Sequence, residues 1–315
     1  MKRKRDLVVT LCEEYLEPDK LVGDYLRYKE LSGCSKFTIE NQRSTLRRYM
    51  TLYMSSINNL KEQRESIMQY LKNKKSAYFN KELDTLRQFW RYYYKYIDKE
   101  EDPCAGISFK PHPSRIVDID FEIVKKLLKT PNQKTFTGLR DYTFMLLMLD
   151  TGIRPQEALR LKIVDIGLNE KTIYVREEYS KTRQARHLPV SNQSILYLRR
   201  LIAVRHINWN KNAPVFCTFS GENLSSAHVQ DRFRWYSKQI GCSVTPYQLR
   251  HIFALGFIKN GGDPFTLQRI MGHTRLEQTR TYINLVRIDL TNGHMKASPL
   301  NQFLKEENRI VSIKK

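Results

Sequence analysis

The chain has 315 residues, 41% of them hydrophobic, which is enough for two folded domains and excludes a disordered chain. Its 54 Lys and Arg against 33 Asp and Glu give a net charge of +21. A charge of that size favours nucleic acid as partner, because an anionic partner offsets the self-repulsion. A basic membrane-surface protein is the competing class, but the sequence contains neither a basic amphipathic helix nor a lipidation signal.

Cysteine usage and the N-terminus predict the cellular setting. The five cysteines are scattered without a Cys-x-x-Cys pair, so they indicate neither a disulfide framework nor a zinc site. Residues 1–17 form a basic N-terminal segment whose apolar run, Leu7 to Leu11, is too short for an export signal. We therefore expect a cytoplasmic protein that does not enter a membrane.

The sequence of residues 18–102 predicts a helical domain and shows little sign of strands. The strongest pattern is an apolar and aromatic stripe with the period of a helix, which is typical of a helix that packs into a bundle. Its members are Leu86, Phe89, Trp90, Tyr93, Tyr94 and Ile97.

Arginines on the polar faces of these helices are candidates for DNA contacts. A solvated surface is the ordinary interpretation of each one, and contact with phosphates is the alternative for the set. The candidates are Arg43, Arg47, Arg87 and Arg91.

Prolines after the helical domain indicate an interdomain linker over residues 103–117. Pro103, Pro111 and Pro113 each restrict the backbone, so this segment should be extended and unable to continue a helix. Most of the net positive charge of the chain follows this segment, so the second domain should seek anions more strongly.

Residues 118–290 predict a mixed α/β domain, with helices around a small antiparallel sheet. A helix from Leu139 should end at Gly152, and Thr245 followed by Pro246 should begin another. Between these helices, Thr172–Glu177 and Arg186–Val190 read as two strands of one hairpin. The tail, residues 291–315, is polar with scattered apolar residues.

Several side chains of this domain suit phosphoryl transfer. Two arginines, Arg154 and Arg250, could bind the oxygens of a phosphodiester without a metal. A tyrosine can be a covalent nucleophile if a neighbour accepts its proton, and a lysine can protonate the leaving oxygen. An Arg–His pair on a helix is more often structural, so each residue alone is weak evidence.

The motifs together resemble those of the tyrosine recombinases, the phage integrase family. They follow in the family's order, with nine residues from the histidine of the last Gly-His step to a tyrosine. The segments are Thr151–Glu157, Lys181 in the hairpin loop, Thr245–His251, Met271–His273 and Tyr282.

The resemblance implies a role for each residue. Arg154 and Arg250 would hold the scissile phosphate, His273 would hydrogen-bond to it, and Glu157 would support the site. His251 would act in proton transfer with the nucleophile Tyr282, which would form a 3′-phosphotyrosyl link. Lys181 would protonate the leaving 5′-oxygen, and Arg183 beside it is a further candidate for DNA contact. No metal, ATP or other cofactor would be needed.

The resemblance also implies the architecture and the partners. We expect a mainly α, two-domain protein in which a four-helix core-binding domain and the catalytic domain form a DNA clamp. It would bind duplex DNA at paired half-sites, associate with the nucleoid, and act as a homotetramer, with an accessory directionality factor as a further partner. The tail would dock in cis or, as commonly in the family, in trans on a neighbouring protomer.

One position departs from the family pattern. Tyr247 stands where a histidine is usual, so it is either a tyrosine that packs beside the site or a rival nucleophile. We predict a site-specific recombinase for integration, excision or transposition of a mobile element. The alternatives are a non-enzymatic DNA-binding protein of the same fold and a type IB topoisomerase-like enzyme that relaxes DNA.

Overall fold

The structure, a computed structural model, describes residues 18–53, 60–96, 102–111, 120–180, 182–210, 212–285, 294 and 298–300. The basic segment 1–17, Ile97, Lys181 and the tail after residue 300 lie outside these ranges. The chain divides into two compact units, Met1–Arg115 and Ile116–Lys315. In the described ranges, no helix has the length and apolar character needed to cross a membrane.

All the regular secondary structure of the first unit, within its described residues, is α-helical. Its helices are α1 (Pro18–Leu31), α2 (Lys36–Tyr53), α3 (Leu60–Leu71) and α4 (Ser76–Tyr96). The aromatic stripe of α4 forms the centre of the core, where Leu86, Phe89, Trp90 and Tyr94 are buried. Edge-to-face contacts such as Phe89–Trp90, with ring centroids 5.1 Å apart, add to the stabilisation from buried area.

Residues 102–111 pack against α4, so this part of the predicted linker is ordered on the first unit. The side chain of Cys104 is fully buried in the helical core, and Arg87 donates a hydrogen bond to the carbonyl of Ile107. Arg91 lies 3.7 Å from the carboxylate of Asp102. Two of the arginines predicted to contact DNA are therefore engaged within the chain.

The second unit combines helices with a three-stranded antiparallel sheet, in which buried and exposed residues alternate along β2 and β3. The strands are β1 (Ile166–Gly167), β2 (Thr172–Val175) and β3 (Arg186–Pro189), in the order β1-β2-β3. Ile173 pairs with Ile166 on one side and with Leu188 on the other, and its side chain is fully buried. The helices are α5 (Phe121–Lys129), α6 (Phe136–Thr151), α7 (Pro155–Arg160), α8 (Asn192–Ala203), α9 (Ser226–Ile240), α10 (Pro246–Lys259), α11 (Pro264–Met271) and α12 (Leu276–Leu285).

Local capping chemistry explains where the key helices begin and end. The α6 helix starts three residues earlier than predicted, because the Thr135 hydroxyl accepts from the amide of Gly138. It ends at Gly152, as predicted, with a left-handed φ of 60°. The predicted start of α10 is also confirmed, since Thr245 and Gln248 form a reciprocal capping box.

Two elements are not predicted from the sequence. The β1 strand has only two residues, which is too short for an alternating pattern. The α12 helix lacks an apolar stripe, because its buried face includes Thr279 and Tyr282. Tyr282 packs with a small core from α10 and α11 that contains Leu255 and Met271.

Substitution of two helical glycines by alanine should change the free energy of unfolding in opposite directions, which tests this packing. A Cβ at Gly138 would lie 2.0 Å from the carbonyl oxygen of Asn132, whereas a Cβ at Gly256 would meet nothing within 4 Å. We expect Gly138→Ala to lower the free energy of unfolding by about 1–3 kcal/mol through overpacking. Gly256→Ala should raise it by about 0.5–1 kcal/mol, because Gly disfavours a helix interior. Urea unfolding followed by circular dichroism measures both, and shifts of the same sign would contradict this packing.

Candidate active site

Two arginines converge on the C-terminal ends of two helices. Arg250, on α10, donates to the carbonyl of Gly152 at the end of α6 and, over 2.7 Å, to the carbonyl of Met271 at the end of α11. Arg154 donates over 2.7 Å to the carbonyl of Gly272. Carbonyls at a helix end lack partners within the helix and carry the negative end of its dipole, so they stabilise the guanidinium groups.

Glu157 is the buried carboxylate of this cluster. It is 1% exposed and accepts from Arg154 Nη1 over 2.9 Å and from Arg186 Nη2 over 2.6 Å. Burial opposes its ionisation, but the hydrogen bond and charge of Arg186, together with Arg154, outweigh burial and lower the pKa of Glu157. Glu157 is therefore ionised at neutral pH and joins the two arginines.

The cluster keeps an excess of positive charge. Burial and the neighbouring charge of Arg154 lower the pKa of Arg250 to about 9, so Arg250 is still protonated at pH 7. The cluster thus holds three guanidinium groups, those of Arg154, Arg186 and Arg250, and one carboxylate, that of Glu157. Such a site attracts an anion with several oxygens, such as a phosphodiester.

His251 and Tyr282 form a hydrogen bond between α10 and α12. The Nδ1 atom of His251 lies 2.6 Å from the hydroxyl oxygen of Tyr282, which is 4% exposed. Burial raises the pKa of Tyr282, and burial with the charge of Arg250 lowers the pKa of His251. At neutral pH the histidine is therefore neutral and can accept the proton of the hydroxyl group.

His273 lies between Arg250 and Thr279. Its Nε2 atom is 3.4 Å from Arg250 Nη2, and its Nδ1 atom is 2.9 Å from the hydroxyl of Thr279. Because arginine has only donors, Nε2 accepts and Nδ1 carries the proton. Burial and the nearby arginines lower the pKa of His273 to about 4. Its ring is parallel to that of Tyr282, with centroids 6.3 Å apart.

The structure thus brings together five of the six residues predicted to be catalytic, and Glu157 with them. They are Arg154, Arg250, His251, His273 and Tyr282. Lys181 lies outside the described residues, five positions before the start of β3 in the sequence.

The remaining predicted residues lie elsewhere or have other partners. Tyr247 is 51% exposed and lines a groove with Pro155 and Phe233, without a hydrogen bond to another described residue. Arg183 is exposed, with a left-handed φ of 51°. Arg43 lies 3.3 Å from Glu40, and Arg47 is exposed on α2.

Arg186 is a site residue that the sequence analysis did not single out. It forms a two-bond fork with Glu157 and donates over 2.9 Å to the carbonyl of Ile270. A signal for it was present: Leu188 and Val190 are buried, and residues two apart share one face of a strand. An arginine in that inward register predicts a buried partner.

In the described part of the chain, no group of three or more His, Cys, Asp or Glu side chains is placed to hold a metal ion.

Comparison with known proteins identifies the family. Residues 118–287 match the phage integrase family. Tyrosine recombinase XerC of Alcanivorax borkumensis is 30% identical over 233 residues, covering 72% of this chain and 75% of that protein. Tyrosine recombinase XerA of Pyrococcus horikoshii is 27% identical over 302 residues, covering 93% of this chain and 98% of that protein.

A solved structure shares the fold. The Tn1549 transposon integrase in complex with a circular intermediate DNA aligns with a TM-score of 0.70 at 16% identity, over 88% of this chain and 98% of that one. The chain belongs to the phage integrase family, the tyrosine recombinases. Tyrosine recombinases are site-specific DNA strand-exchange enzymes.

The lowered pKa of His273 predicts a pH-dependent stability. Because the folded pKa, about 4, lies below the ordinary value of 6.5, the unfolded chain binds the proton more readily. This contribution to stability is complete above pH 6.5 and is lost as the pH falls towards 4. Through His273, the free energy of unfolding of wild type should fall by on the order of 2 kcal/mol between pH 6.5 and 4.5. His273→Gln should lack this decrease.

Urea unfolding of both proteins across this pH range measures the difference. The contribution of His251 is common to the two proteins and cancels. Equal pH dependence of wild type and variant would show that His273 titrates normally.

Proposed function

We propose that this chain cuts and rejoins duplex DNA through a covalent bond between Tyr282 and a 3′-phosphate. The observation that carries the proposal is the 2.6 Å contact between Tyr282 and His251 beside an arginine cluster with excess positive charge. A nucleophile, a neutral base and an anion-binding pocket are the three parts that metal-independent phosphodiester transfer requires.

Each step moves atoms between named groups. The Tyr282 oxygen attacks the phosphorus while its proton moves to His251 Nδ1, and the bond from phosphorus to the 5′-oxygen breaks. Lys181 is proposed as the acid that protonates the departing oxygen. Arg154 and Arg250 stabilise the charge that develops on the non-bridging oxygens, each with donors still available besides those on Glu157 and the helix carbonyls.

His273 needs a change of proton position for its proposed role. Its Nε2 atom accepts at Arg250, but a hydrogen bond to a phosphate requires a proton on that nitrogen. A bound phosphate supplies a negative charge that raises the pKa of His273 from about 4 and favours this proton. His273 is thus proposed to become a donor only when DNA is bound.

The first unit is proposed as the core-binding domain, which with the catalytic domain forms a clamp on duplex DNA at paired half-sites. The helical core of α1 to α4 and the exposed cation Arg47 support this assignment. Assembly as a homotetramer, an accessory directionality factor, trans docking of the tail and a mobile element as substrate stay predictions from the sequence. Mapping of cleavage positions on DNA flanking the gene tests the last of these.

The nucleophile can be tested with two tyrosines of the same chain. On a nicked duplex made from the DNA flanking the gene, wild type should form a covalent protein–DNA adduct visible by denaturing electrophoresis. Tyr282→Phe should form none, because it lacks the attacking oxygen, whereas Tyr247→Phe should keep the reaction within about tenfold of wild type.

Three results would contradict the assignment. Absence of an adduct with wild type would indicate a non-enzymatic DNA-binding protein. An adduct with Tyr282→Phe, lost in Tyr247→Phe, would make Tyr247 the nucleophile. Relaxation of plasmids that lack a target site would indicate a topoisomerase-like activity.

The salt dependence of DNA binding can test the role of the first unit. Arg47 has no ion pair among the described residues, so Arg47→Ala should lower the slope of log affinity against log salt by about 1. Arg87 is held at the carbonyl of Ile107 and stacks on Phe109, so Arg87→Ala is the control and should change the slope less. Fluorescence anisotropy at several salt concentrations measures both slopes, and an unchanged slope for Arg47→Ala would remove Arg47 from the interface.

A further inference from the structure

We propose that Arg186 is a positioning residue. It compensates the negative charge of Glu157, so that the positive charge and the free donors of Arg154 remain available for the scissile phosphate. This inference rests on the proposed function and adds a residue to it. The residue at position 186 is proposed to determine how much of the positive charge of Arg154 is available to a phosphate.

Glu157 is shared unequally between Arg186 and Arg154. Arg186 donates to both carboxylate oxygens, over 2.6 Å and 3.2 Å, whereas the Arg154 guanidinium donates to only one, over 2.9 Å. A two-bond fork is the stronger and more directional arrangement of an arginine with a carboxylate. Arg186 is therefore the principal partner of Glu157, and Arg154 is a secondary one.

The buried charge of Glu157 also needs a partner other than Arg154. Glu157 is 1% exposed, so its charge must be compensated by neighbours and not by water. Without Arg186, the remaining hydrogen bonds to Glu157 would come from the amide and the guanidinium of Arg154. That guanidinium could then close its own fork on Oε2, which would keep only the 3.2 Å bond from the amide. In that fork, the carboxylate would compensate the positive charge of Arg154, and the donors of Arg154 would point away from a phosphate. With Arg186 in place, the carboxylate is already neutralised.

Arg186 also holds the turn before His273. Its Nε donates over 2.9 Å to the carbonyl of Ile270, next to the carbonyls that bind Arg250 and Arg154. A Cβ at Gly272 would lie 3.2 Å from both the Arg186 Cζ and the Arg154 Nη1 atoms. The absence of a side chain at Gly272 lets the two guanidinium groups share the space above the turn.

The test compares Arg186→Met, Arg186→Lys, Glu157→Gln and the double variant Arg186→Met with Glu157→Gln. Single-turnover adduct formation is measured on the nicked duplex under conditions where circular dichroism shows each protein folded. We expect Arg186→Met to slow the reaction about 10²-fold, as for other misplaced catalytic groups. Because Glu157→Gln removes the uncompensated charge, the double variant should be about tenfold faster than Arg186→Met. Arg186→Lys keeps the charge but not the fork and should lie between wild type and Arg186→Met.

A neutral substrate separates this role from a merely structural one. A methylphosphonate at the scissile position removes the negative charge that Arg154 must meet, so the defect of Arg186→Met should shrink by at least about tenfold on it. Equal defects on both substrates would overturn the proposal, since a distorted fold slows both alike. A double variant slower than Arg186→Met would also overturn it.

A crystal structure of Arg186→Met tests the contact without reference to activity. We expect Arg154 to bind both oxygens of Glu157 and to leave the carbonyl of Gly272. An Arg154 that keeps its wild-type contacts would contradict the proposal even if the reaction is slow. If wild type forms no adduct on the nicked duplex, the proposed function fails, and this structure still decides the inference about Arg186.

Discussion

The active site depends on one buried carboxylate, that of Glu157, surrounded by arginines. A carboxylate at 1% exposure is costly unless it is paired and fully hydrogen-bonded, and Glu157 accepts from two guanidinium groups and from the amide of Arg154. The same pairing offsets the electrostatic repulsion between the guanidinium groups, which would otherwise be strong in a buried pocket. If Glu157 were absent, Arg154 and Arg186 would repel each other beside Arg250. The carboxylate thus permits the positive charge that a phosphate requires.

Helix ends supply the rest of the compensation. The carbonyls of Gly152 and Gly272, at the ends of α6 and α11, each accept from an arginine. Both glycines adopt left-handed backbone conformations, which end the helices and expose their last carbonyls. A residue with a side chain would be strained at either position, and it would also meet Phe253 at Gly152 or the guanidinium groups at Gly272. Helix termination and the placement of the two arginines are therefore one local feature of the chain.

Sequence patterns predicted the parts of this site that local chemistry determines. The cap at Thr245 and the end of α6 at Gly152 follow from capping, and in the other unit the core position of Trp90 follows from periodicity. The partner of Glu157 does not, because alternation along β3 indicates that Arg186 points inward but not that it meets a carboxylate 29 residues away. The α12 helix has no apolar stripe for a pattern to detect. The engagement of Arg87 depends on how residues 102–111 fold back on α4.

Burial of the Tyr282–His251 pair has a further consequence for catalysis. The same desolvation raises the pKa of the tyrosine and lowers that of the histidine, so both shifts oppose proton transfer in the resting protein. Tyr282, the proposed nucleophile, therefore stays protonated in the resting protein. In the proposed reaction, a phosphodiester bound at the arginines adds negative charge beside His251 and raises its proton affinity. Formation of the bond to phosphorus also removes the negative charge that would develop on the Tyr282 oxygen. The proposed activation of Tyr282 is thus coupled to occupation of the pocket around Glu157.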